Sequence, residues 1–310
     1  MILRHLEYLV ALARERHFGR AAVACGVTQP TLSAAIRELE SELDVLIVER
    51  GRRFGGLTAE GERVVEWARR ILSDRDALRQ EVGSAKQGLA GRLVLGVIPT
   101  ALATVGLLIS PFQRNHPRVG IKVLSLSSIE IQRGLDIFDL DAGISYLDNE
   151  PVQRVGTLPL YRERYFLVTG DRSVFRRRDS VTWAEAADLP LCLLTADMQN
   201  RRIINGVFHE AKRAPTPLVE TNSILALYAQ VRSKGMATVL TQASLYLLGM
   251  PRWLRAFPLV APAARRTIGL VYPDREPQRP VARAFVNGAR QLNIDGEMQR
   301  NIPAALRQPR

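Results

Sequence analysis

Apolar positions near the beginning of the chain recur every three or four residues, which is the spacing of one helix face. One such run predicts a helix over residues 3–15, and its members are Leu6, Leu9, Val10 and Ala13. A second run predicts a short helix that ends at Gly26, and its members are Phe18, Ala21, Ala22 and Cys25. The third begins after the expected N-cap Thr28 and has Pro30 in its first turn, with an apolar face of Leu32, Ile36, Leu39 and Leu43.

Residues 45–57 break this spacing and contain three glycines among three arginines, which predicts a hairpin, or wing, with a basic tip. Thr58 is then expected to cap a long helix that reaches about Gln87. Along this helix a heptad pattern comprises Val64, Ala68, Ile71, Arg75, Leu78, Val82 and Ala85. The pattern favours a dimerisation helix, and a helix packed on its own domain is the alternative.

From Arg92 onward, short apolar runs alternate with helical patterns. The predicted strands are 93–97, 121–126, 140–144, 165–168, 191–194, 218–220, 237–240 and 267–272. The predicted helices are 101–114, 129–137, 198–212, 223–234 and 279–292, and a frayed tail is expected from Gly296. This alternation predicts an α/β region with a parallel sheet in two lobes, the late strand returning to the first lobe.

The first three helices indicate contact with DNA. Two short helices around a Gly-containing turn, the second beginning with small polar residues, form the arrangement that places a helix N-terminus in a major groove. The net charge of +12 also suggests an anionic partner. However, residues 1–90 hold 14 Lys or Arg against 13 Asp or Glu, and the rest of the chain holds 29 against 18. The basic excess therefore belongs to the α/β region, where it serves either general solubility or an anionic ligand or DNA backbone.

Localisation and redox chemistry follow from composition. The apolar runs are shorter than the roughly 18 residues that cross a bilayer, and the start lacks the layout of a secretion signal, so a cytoplasmic protein is expected. The two cysteines, Cys25 and Cys192, lie in apolar surroundings. We expect both to be buried, reduced thiols and not a disulfide switch.

On the segments Phe18–Leu57, Gly91–Val97, Asp139–Ile144 and Glu220–Ser223, the chain resembles the LysR-type family of bacterial transcriptional regulators. The resemblance implies a winged helix-turn-helix over 1–57, a linker and dimerisation helix over 58–90, and a two-lobed effector domain like the periplasmic binding proteins. Lobe I would comprise 91–162 with 268–295, lobe II 163–267, and the tail 296–310. A weaker resemblance, in 140–151 and 197–202, is to regulators near formate dehydrogenase gene clusters.

The resemblance also implies partners. Such regulators form homodimers through the linker helix and usually homotetramers, bind promoter DNA, and respond to an effector by changing the DNA bend and the contact with RNA polymerase. The chain departs from the family pattern at Ala34-Ala35, where many members have a basic or amide residue. Base contact would therefore depend more on the residues before that pair.

Gln29 is the main candidate for base contact, because an amide can pair with an adenine edge in two places. Thr28, Thr31 and Ser33 are expected to contact phosphates or thymine methyls, and helix capping by the two threonines is compatible with this role. Pro30 lies in the same turn, and Arg37 is expected on the solvent or DNA side of the helix. In the wing, Arg52 and Arg53 are expected to contact phosphates or enter the minor groove.

Effector contacts are expected where strands end and helices begin, because helix N-termini favour anions. The candidates are Thr100, Ser127 and Ser128 in the first lobe, and Thr195, Met198, Asn200, Arg202 and Asn222 in the second. Simple capping by Thr100 and Ser128, and a solvated charge pair at Arg201-Arg202, are the alternatives. The hydroxyl- and amide-rich set predicts a small anionic metabolite.

Patterns typical of enzymes are missing from the sequence. The four histidines lack metal-ligand spacing, and Gly83 to Gly88 is followed by Leu89-Ala90 where a phosphate-binding loop needs Lys and a hydroxyl residue. We therefore expect no catalytic site, metal or cofactor. The alternative function is an α/β ligand-binding or enzymatic protein that uses its N-terminal helices only for oligomerisation.

Overall fold

A computed structural model describes residues 2–49, 54–150, 152–233 and 235–302, without the side chains of 84–87. Contacts divide the chain into two compact units, Met1–Leu89 with Pro277–Pro280 and Ala90–Glu276 with Val281–Arg310. Among the described residues, no helix is both long enough and apolar enough to cross a membrane. The same residues contain no group of His, Cys, Asp or Glu that could hold a metal ion.

The described residues of the first unit form four helices and the base of a wing. The helices are α1 (Leu3–Glu15), α2 (Phe18–Ala24), α3 (Gln29–Leu43) and α4 (Ala59–Gln87). Their core consists of the apolar faces predicted from the spacing, including Leu6, Leu9, Ala21, Leu32, Ile36 and Leu39. The base of the wing is an antiparallel bridge between Val48 and Leu57, and Glu40 of α3 accepts hydrogen bonds from the amides of Ile47 and Val48.

The N-terminal half of the predicted heptad pattern faces its own unit. Ala68 is fully buried in the helix-turn-helix core, and Val64 and Ile71 pack against that core. Arg75 forms an ion pair with Glu7 of α1. For these four residues the predicted dimer seam is wrong, because the core of the unit takes up this face of α4. Leu78 and Val82 remain exposed, as does Trp67, and the side chain of Ala85 is outside the described residues.

The second unit is built on a mixed sheet with the order β2-β1-β3-β10-β4-β8-β6-β7. These strands are β1 (Gly91–Val97), β2 (Val119–Ser125), β3 (Ala142–Tyr146), β4 (Val155–Thr169), β6 (Leu191–Leu194), β7 (Val219–Thr221), β8 (Ala237–Thr241) and β10 (Arg265–Pro273). The two short strands β5 (Val181–Thr182) and β9 (Arg255–Val260) pair with each other, and β9 also pairs with β4. The helices are α5 (Val105–Asn115), α6 (Ser128–Asp136), α7 (Trp183–Ala187), α8 (Gln199–Glu210), α9 (Ile224–Arg232), α10 (Gln242–Leu248), α11 (Pro280–Ala289) and α12 (Ile294–Asn301).

Strand directions define the two lobes. Strand β1 is parallel to β2 and β3, and β6 is parallel to β7 and β8, as the alternating pattern predicts. The prediction of a parallel sheet is wrong at the centre, because β10 runs antiparallel to β3 and β4. The pairing of β10 with β3 confirms that the late strand returns to the first lobe. Strand β4 connects the lobes, pairing with β10 in its first part and with β8 from Tyr165 onward.

The predicted frayed tail is wrong for residues 296–302. Helix α12 occupies most of this segment, Met298 is fully buried, and Ile302 is part of the second lobe's core. The sequence patterns did not predict helices α7 and α10 or strands β5 and β9. The predicted helix over 101–114 begins as a 3-10 turn, Pro99–Thr104, before α5 continues it.

Candidate functional site

The N-terminus of α3 is fixed by the turn that precedes it. Gly26 has a φ of +66°, a left-handed conformation that favours glycine, and it ends the segment after α2. The Thr28 hydroxyl accepts a hydrogen bond from the Thr31 amide at 3.4 Å and contacts the Thr31 hydroxyl at 2.8 Å. Pro30 occupies the first turn, where its missing N–H costs no helical hydrogen bond.

One face of α3 is open to solvent from its first residue. Thr28, Gln29, Pro30 and Thr31 are exposed, Ser33 is half-buried, and Arg37 is exposed two turns further on. Ala34 is exposed whereas Ala35 is buried in the core, so only Ala34 belongs to this face. The predicted DNA-contacting residues of α3 therefore share one surface, with a methyl group where the family often has a longer side chain. Arg52 and Arg53 of the wing lie outside the described residues.

A small, partly open cavity lies between the two lobes of the second unit. Its lining from the first lobe is Ile98, Pro99, Thr100, Ser127, Ser128 and Tyr146, and from the second lobe Leu194, Met198, Gln199 and Asn200. Its volume is about 10 Å³, which is room for about one water molecule. Three helical N-termini reach it, those of the 3-10 turn at Pro99, of α6 at Ser128 and of α8 at Gln199.

The N-terminus of α8 is bonded across the cleft. The Gln199 side-chain amide donates to the Asn149 carbonyl oxygen, and Asn200 Nδ2 donates to the Tyr146 hydroxyl at 2.8 Å. Arg202 donates from Nε and Nη2, along one edge of its guanidinium, to the two carboxylate oxygens of Glu150, and this contact lowers the pKa of the Glu150 carboxyl. These contacts join the two lobes across the cleft.

Five of the eight predicted effector residues line the cavity, namely Thr100, Ser127, Ser128, Met198 and Asn200. Ser127 also forms a capping box with Glu130, so its hydroxyl is already engaged. Arg202, Thr195 and Asn222 are outside the lining: Arg202 is paired with Glu150, the Thr195 amide donates to the Thr221 carbonyl, and Asn222 is exposed. Arg201 is not a solvated charge, because it is 6% exposed and bonded to Glu220 and to the Leu194 carbonyl oxygen.

A buried acid below the cavity was missed from the sequence. The carboxyl of Glu163, in β4, is fully buried, and its Oε2 accepts a hydrogen bond from the Tyr146 hydroxyl at 2.5 Å. Burial raises the pKa of Glu163 to about 7, and it raises the pKa values of Tyr146, Tyr161 and Tyr165 well above 10. The available signal was the alternation Tyr161, Glu163, Tyr165, which places three polar-ended side chains on one face of a central strand.

The two thiols have different environments. Cys192 is fully buried in β6, as expected, whereas Cys25 is only partly buried, so that expectation is wrong for Cys25. Burial raises the pKa of both thiols above 9.0. Both are therefore protonated near neutral pH, and the thiolate is the reactive form. They belong to different units of the chain.

Comparison with known proteins agrees with this architecture. Residues 3–62 match the bacterial regulatory helix-turn-helix protein, lysR family, and residues 86–293 match the LysR substrate binding domain. Two Escherichia coli proteins, the DNA-binding transcriptional dual regulator OxyR of strain K12 and the hydrogen peroxide-inducible genes activator of strain O157:H7, are each 30% identical over 311 residues. The match covers 99% of this chain and 100% of each relative.

Solved structures show the same likeness in three dimensions over most of the chain. A full-length OxyR variant from Pseudomonas aeruginosa superposes with a TM-score of 0.75 at 28% identity, over 95% of this chain and 99% of that one. Full-length CbnR complexed with its target DNA shares the fold, with a TM-score of 0.66 at 21% identity, over 94% and 99% of the two chains. The chain therefore belongs to the LysR family and is a DNA-binding transcriptional regulator with an N-terminal helix-turn-helix and an effector-binding domain.

Proposed function

We propose that this regulator contacts promoter DNA with the N-terminus of α3 and responds to a small anionic metabolite bound between the two lobes. The observation that carries the proposal is the open face of α3, on which Gln29 and its polar neighbours are exposed while the opposite face forms the core. Residues exposed at a capped helix start need no further packing, so they are available to DNA. The protein acts by binding and not by catalysis.

The residues of α3 would divide the contact between bases and backbone. Gln29 pairs with an adenine edge, Thr28, Thr31 and Ser33 contact phosphates or thymine methyls, and Pro30 fixes the approach of the first turn. Arg37, two turns along, contacts the backbone, as do Arg52 and Arg53 of the wing. Ala34 adds a methyl group that suits a thymine methyl.

The cleft suits an anion because of how its donors are arranged. Partial positive charge accumulates at helix N-termini, and three of them reach this cavity. Hydroxyl and amide groups line it, and none of its ten lining residues carries a charge. A volume of about 10 Å³ requires the ligand to be very small or the cleft to open. Thr195, Arg202 and Asn222 would join the site only in an opened cleft.

Oligomerisation would use apolar side chains that each unit leaves exposed. Trp67, Leu78 and Val82 of α4 are 57–65% exposed and supply the homodimer contact. The two outer strands of the sheet also carry exposed apolar side chains. These are Val123 in β2 with Ile129 in the following helix, and Leu218 just before β7 with Leu225 in the helix after it. Pairing of one edge with the other edge of a second copy would build the homotetramer, and RNA polymerase in the cytoplasm would be its partner at the promoter.

A peroxide response like that named for the relatives is the second candidate, and the thiols disfavour it. A sensing cysteine is an accessible thiolate of low pKa, often beside a second thiol. Here burial raises the pKa of both thiols, and Cys192 has no exposed surface. We therefore propose a bound ligand, and not oxidation, as the signal.

The proposal is tested by selecting genomic fragments with the purified protein at physiological salt and excess competitor DNA. The expected result is a small set of enriched inverted half-sites near promoters, reduced by Gln29→Ala. Equal enrichment by the wild type and by Gln29→Ala would contradict the role of α3. Titration calorimetry with small carboxylic acids and their neutral amides tests the cleft, and binding of the amides alone would contradict an anionic effector.

A further inference from the structure

One phenol hydroxyl joins the effector cavity to the buried acid beneath it. The oxygen of Tyr146 lies 2.5 Å from Glu163 Oε2, 2.8 Å from Asn200 Nδ2 and 3.4 Å from Thr100 Oγ1. All four side chains are at most 5% exposed, and three of them, Thr100, Tyr146 and Asn200, line the cavity. Because bulk water does not reach these groups, the direction of each hydrogen bond constrains the others.

With Glu163 ionised, the cavity presents acceptors. A carboxylate only accepts, so Tyr146 donates to it, and a separation of 2.5 Å suits a charge-assisted hydrogen bond. The phenol oxygen then has only lone pairs left for Asn200 and Thr100, which both donate to it. Their remaining polar groups are the Asn200 carbonyl oxygen, the second Asn200 N–H and the Thr100 lone pairs, so acceptors outnumber donors. Gln199 adds a buried Oε1 without a hydrogen-bond partner.

With Glu163 protonated, the same chain of hydrogen bonds can reverse. The carboxylic acid donates to the Tyr146 oxygen, which frees the phenol proton for the Asn200 carbonyl or the Thr100 hydroxyl. The Asn200 side-chain amide then flips by half a turn, so that its carbonyl oxygen accepts from Tyr146 and its NH₂ group faces the cavity. Alternatively, Thr100 accepts from Tyr146 and directs its hydroxyl proton into the cavity. In either case the cavity gains a donor, and the negative charge below it is removed.

We propose that Glu163 determines the charge specificity of the effector cleft: its proton sets, through Tyr146, whether Asn200 and Thr100 offer acceptors or donors, so that a small carboxylate binds together with one proton. Glu163 does not touch the ligand and acts as a positioning residue. The inference rests on the proposed function in taking the cleft as the anion site.

The groups around Glu163 place this exchange near neutral pH. Burial raises its pKa to about 7, the contacts of Tyr146 and Thr241 lower it, and the charge of Asp148 raises it. Other titratable or charged groups close by include Tyr161, Arg164 and Tyr165 on β4 itself, Arg265 and Arg266 of β10 and Asp295 of α12. An anion in the cavity would add to the charge of Asp148 and raise the pKa of Glu163 further.

We call the hydrogen-bonded chain from Glu163 through Tyr146 to Asn200 and Thr100 the relay. It can be tested without a ligand by following the NMR chemical shift of the Asn200 side-chain amide from about pH 6 to about pH 8. The full-length protein is labelled on asparagine, and the signal is assigned by its loss in Asn200→Ala. We expect the amide shift to titrate with the pKa of Glu163, and to be constant in Glu163→Gln and in Tyr146→Phe. Tyr161→Phe, a matched loss of a buried phenol on β4, should leave the titration intact. An Asn200 signal that is constant in the wild type, or that titrates equally in Tyr146→Phe, overturns the relay.

The coupling to ligand charge is tested with acetate and acetamide as probes, by calorimetry in buffers of different ionisation enthalpy. We expect acetate to bind with uptake of up to one proton, and its dissociation constant to rise about tenfold per pH unit above the pKa of Glu163. Glu163→Gln should lose this dependence. Acetate binding in the wild type without proton uptake overturns the coupling. If neither probe binds while the Asn200 amide titrates, the relay stands and the anionic-cleft proposal is contradicted.

Discussion

Replacement of the buried acid Glu163 should change the stability of the protein in a way that depends on pH. Burial raises the pKa of this carboxyl from its ordinary 4.5 to about 7. The folded state therefore keeps a proton that the unfolded chain has lost between these two values. The contribution of Glu163 to stability is fully present below pH 4.5 and is lost as the pH rises through 7.

The size of the effect follows from that difference. A shift of one unit in a pKa corresponds to about 1.4 kcal/mol. The rise from 4.5 to about 7 therefore means that ionised Glu163 destabilises the folded state by about 3 kcal/mol above pH 7. Glu163→Gln is similar in shape and carries no charge. We expect it to stabilise the effector domain by up to about 3 kcal/mol at pH 8, and to have little effect at pH 4.5.

The assay is urea unfolding at several pH values, followed by tryptophan fluorescence, to which Trp183, fully buried in the same domain, and Trp253 contribute. Glu185→Gln is a control of opposite sign, because hydrogen bonds from Thr182 lower the pKa of Glu185. Its carboxylate stabilises the fold above its unfolded pKa, and this stability is lost as the pH falls. An effect of Glu163→Gln that is equal at pH 4.5 and pH 8 would refute the argument.

Three further predictions concern DNA binding, the C-terminal helix and assembly. Gln29→Ala should cost about 1–3 kcal/mol of binding free energy at the preferred site and reduce the sequence preference at one base pair. Arg52→Ala should instead weaken binding to all DNA sequences alike and reduce the salt dependence of the affinity. Both are measured by fluorescence anisotropy. Met298→Ala should destabilise the effector domain by about 2–5 kcal/mol in urea unfolding, because Met298 is fully buried, while Arg300→Ala on the exposed side of α12 should change it by less than about 0.5 kcal/mol. Leu78→Asp should shift sedimentation toward the monomer, and an unchanged sedimentation coefficient would exclude this face of α4 from the dimer contact.

Local patterns along the chain determined the helices of the DNA-binding unit. Helix α1 begins and ends where its apolar spacing predicts, and Gly26, Thr28 and Pro30 mark the turn before α3. The exposed face of α3 follows from the same periodicity, because the positions between the buried leucines must face away from the core. The parallel strands β1, β2 and β6 were likewise predictable, since short strands rich in apolar residues that alternate with helices have few other arrangements.

Pairing between distant segments was decided only by the tertiary structure. Which face of α4 remains free depends on the packing of α1 against Ala68 and on the ion pair of Arg75 with Glu7, and a heptad pattern contains neither fact. The burial of Met298 in a segment that looked like a polar tail also depends on partners elsewhere in the chain.

The effector cleft shows the same division most clearly. The sequence by itself determined that Thr100, Ser128 and Asn200 lie near helix starts, because capping residues and periodicity are local properties. Only the tertiary structure placed Tyr146 and Glu163 beneath them and paired Arg202 with Glu150. The physical reason is that a pKa or an ion pair depends on distance and burial in space, and residues 146, 163 and 200 become neighbours only when β3, β4 and α8 meet.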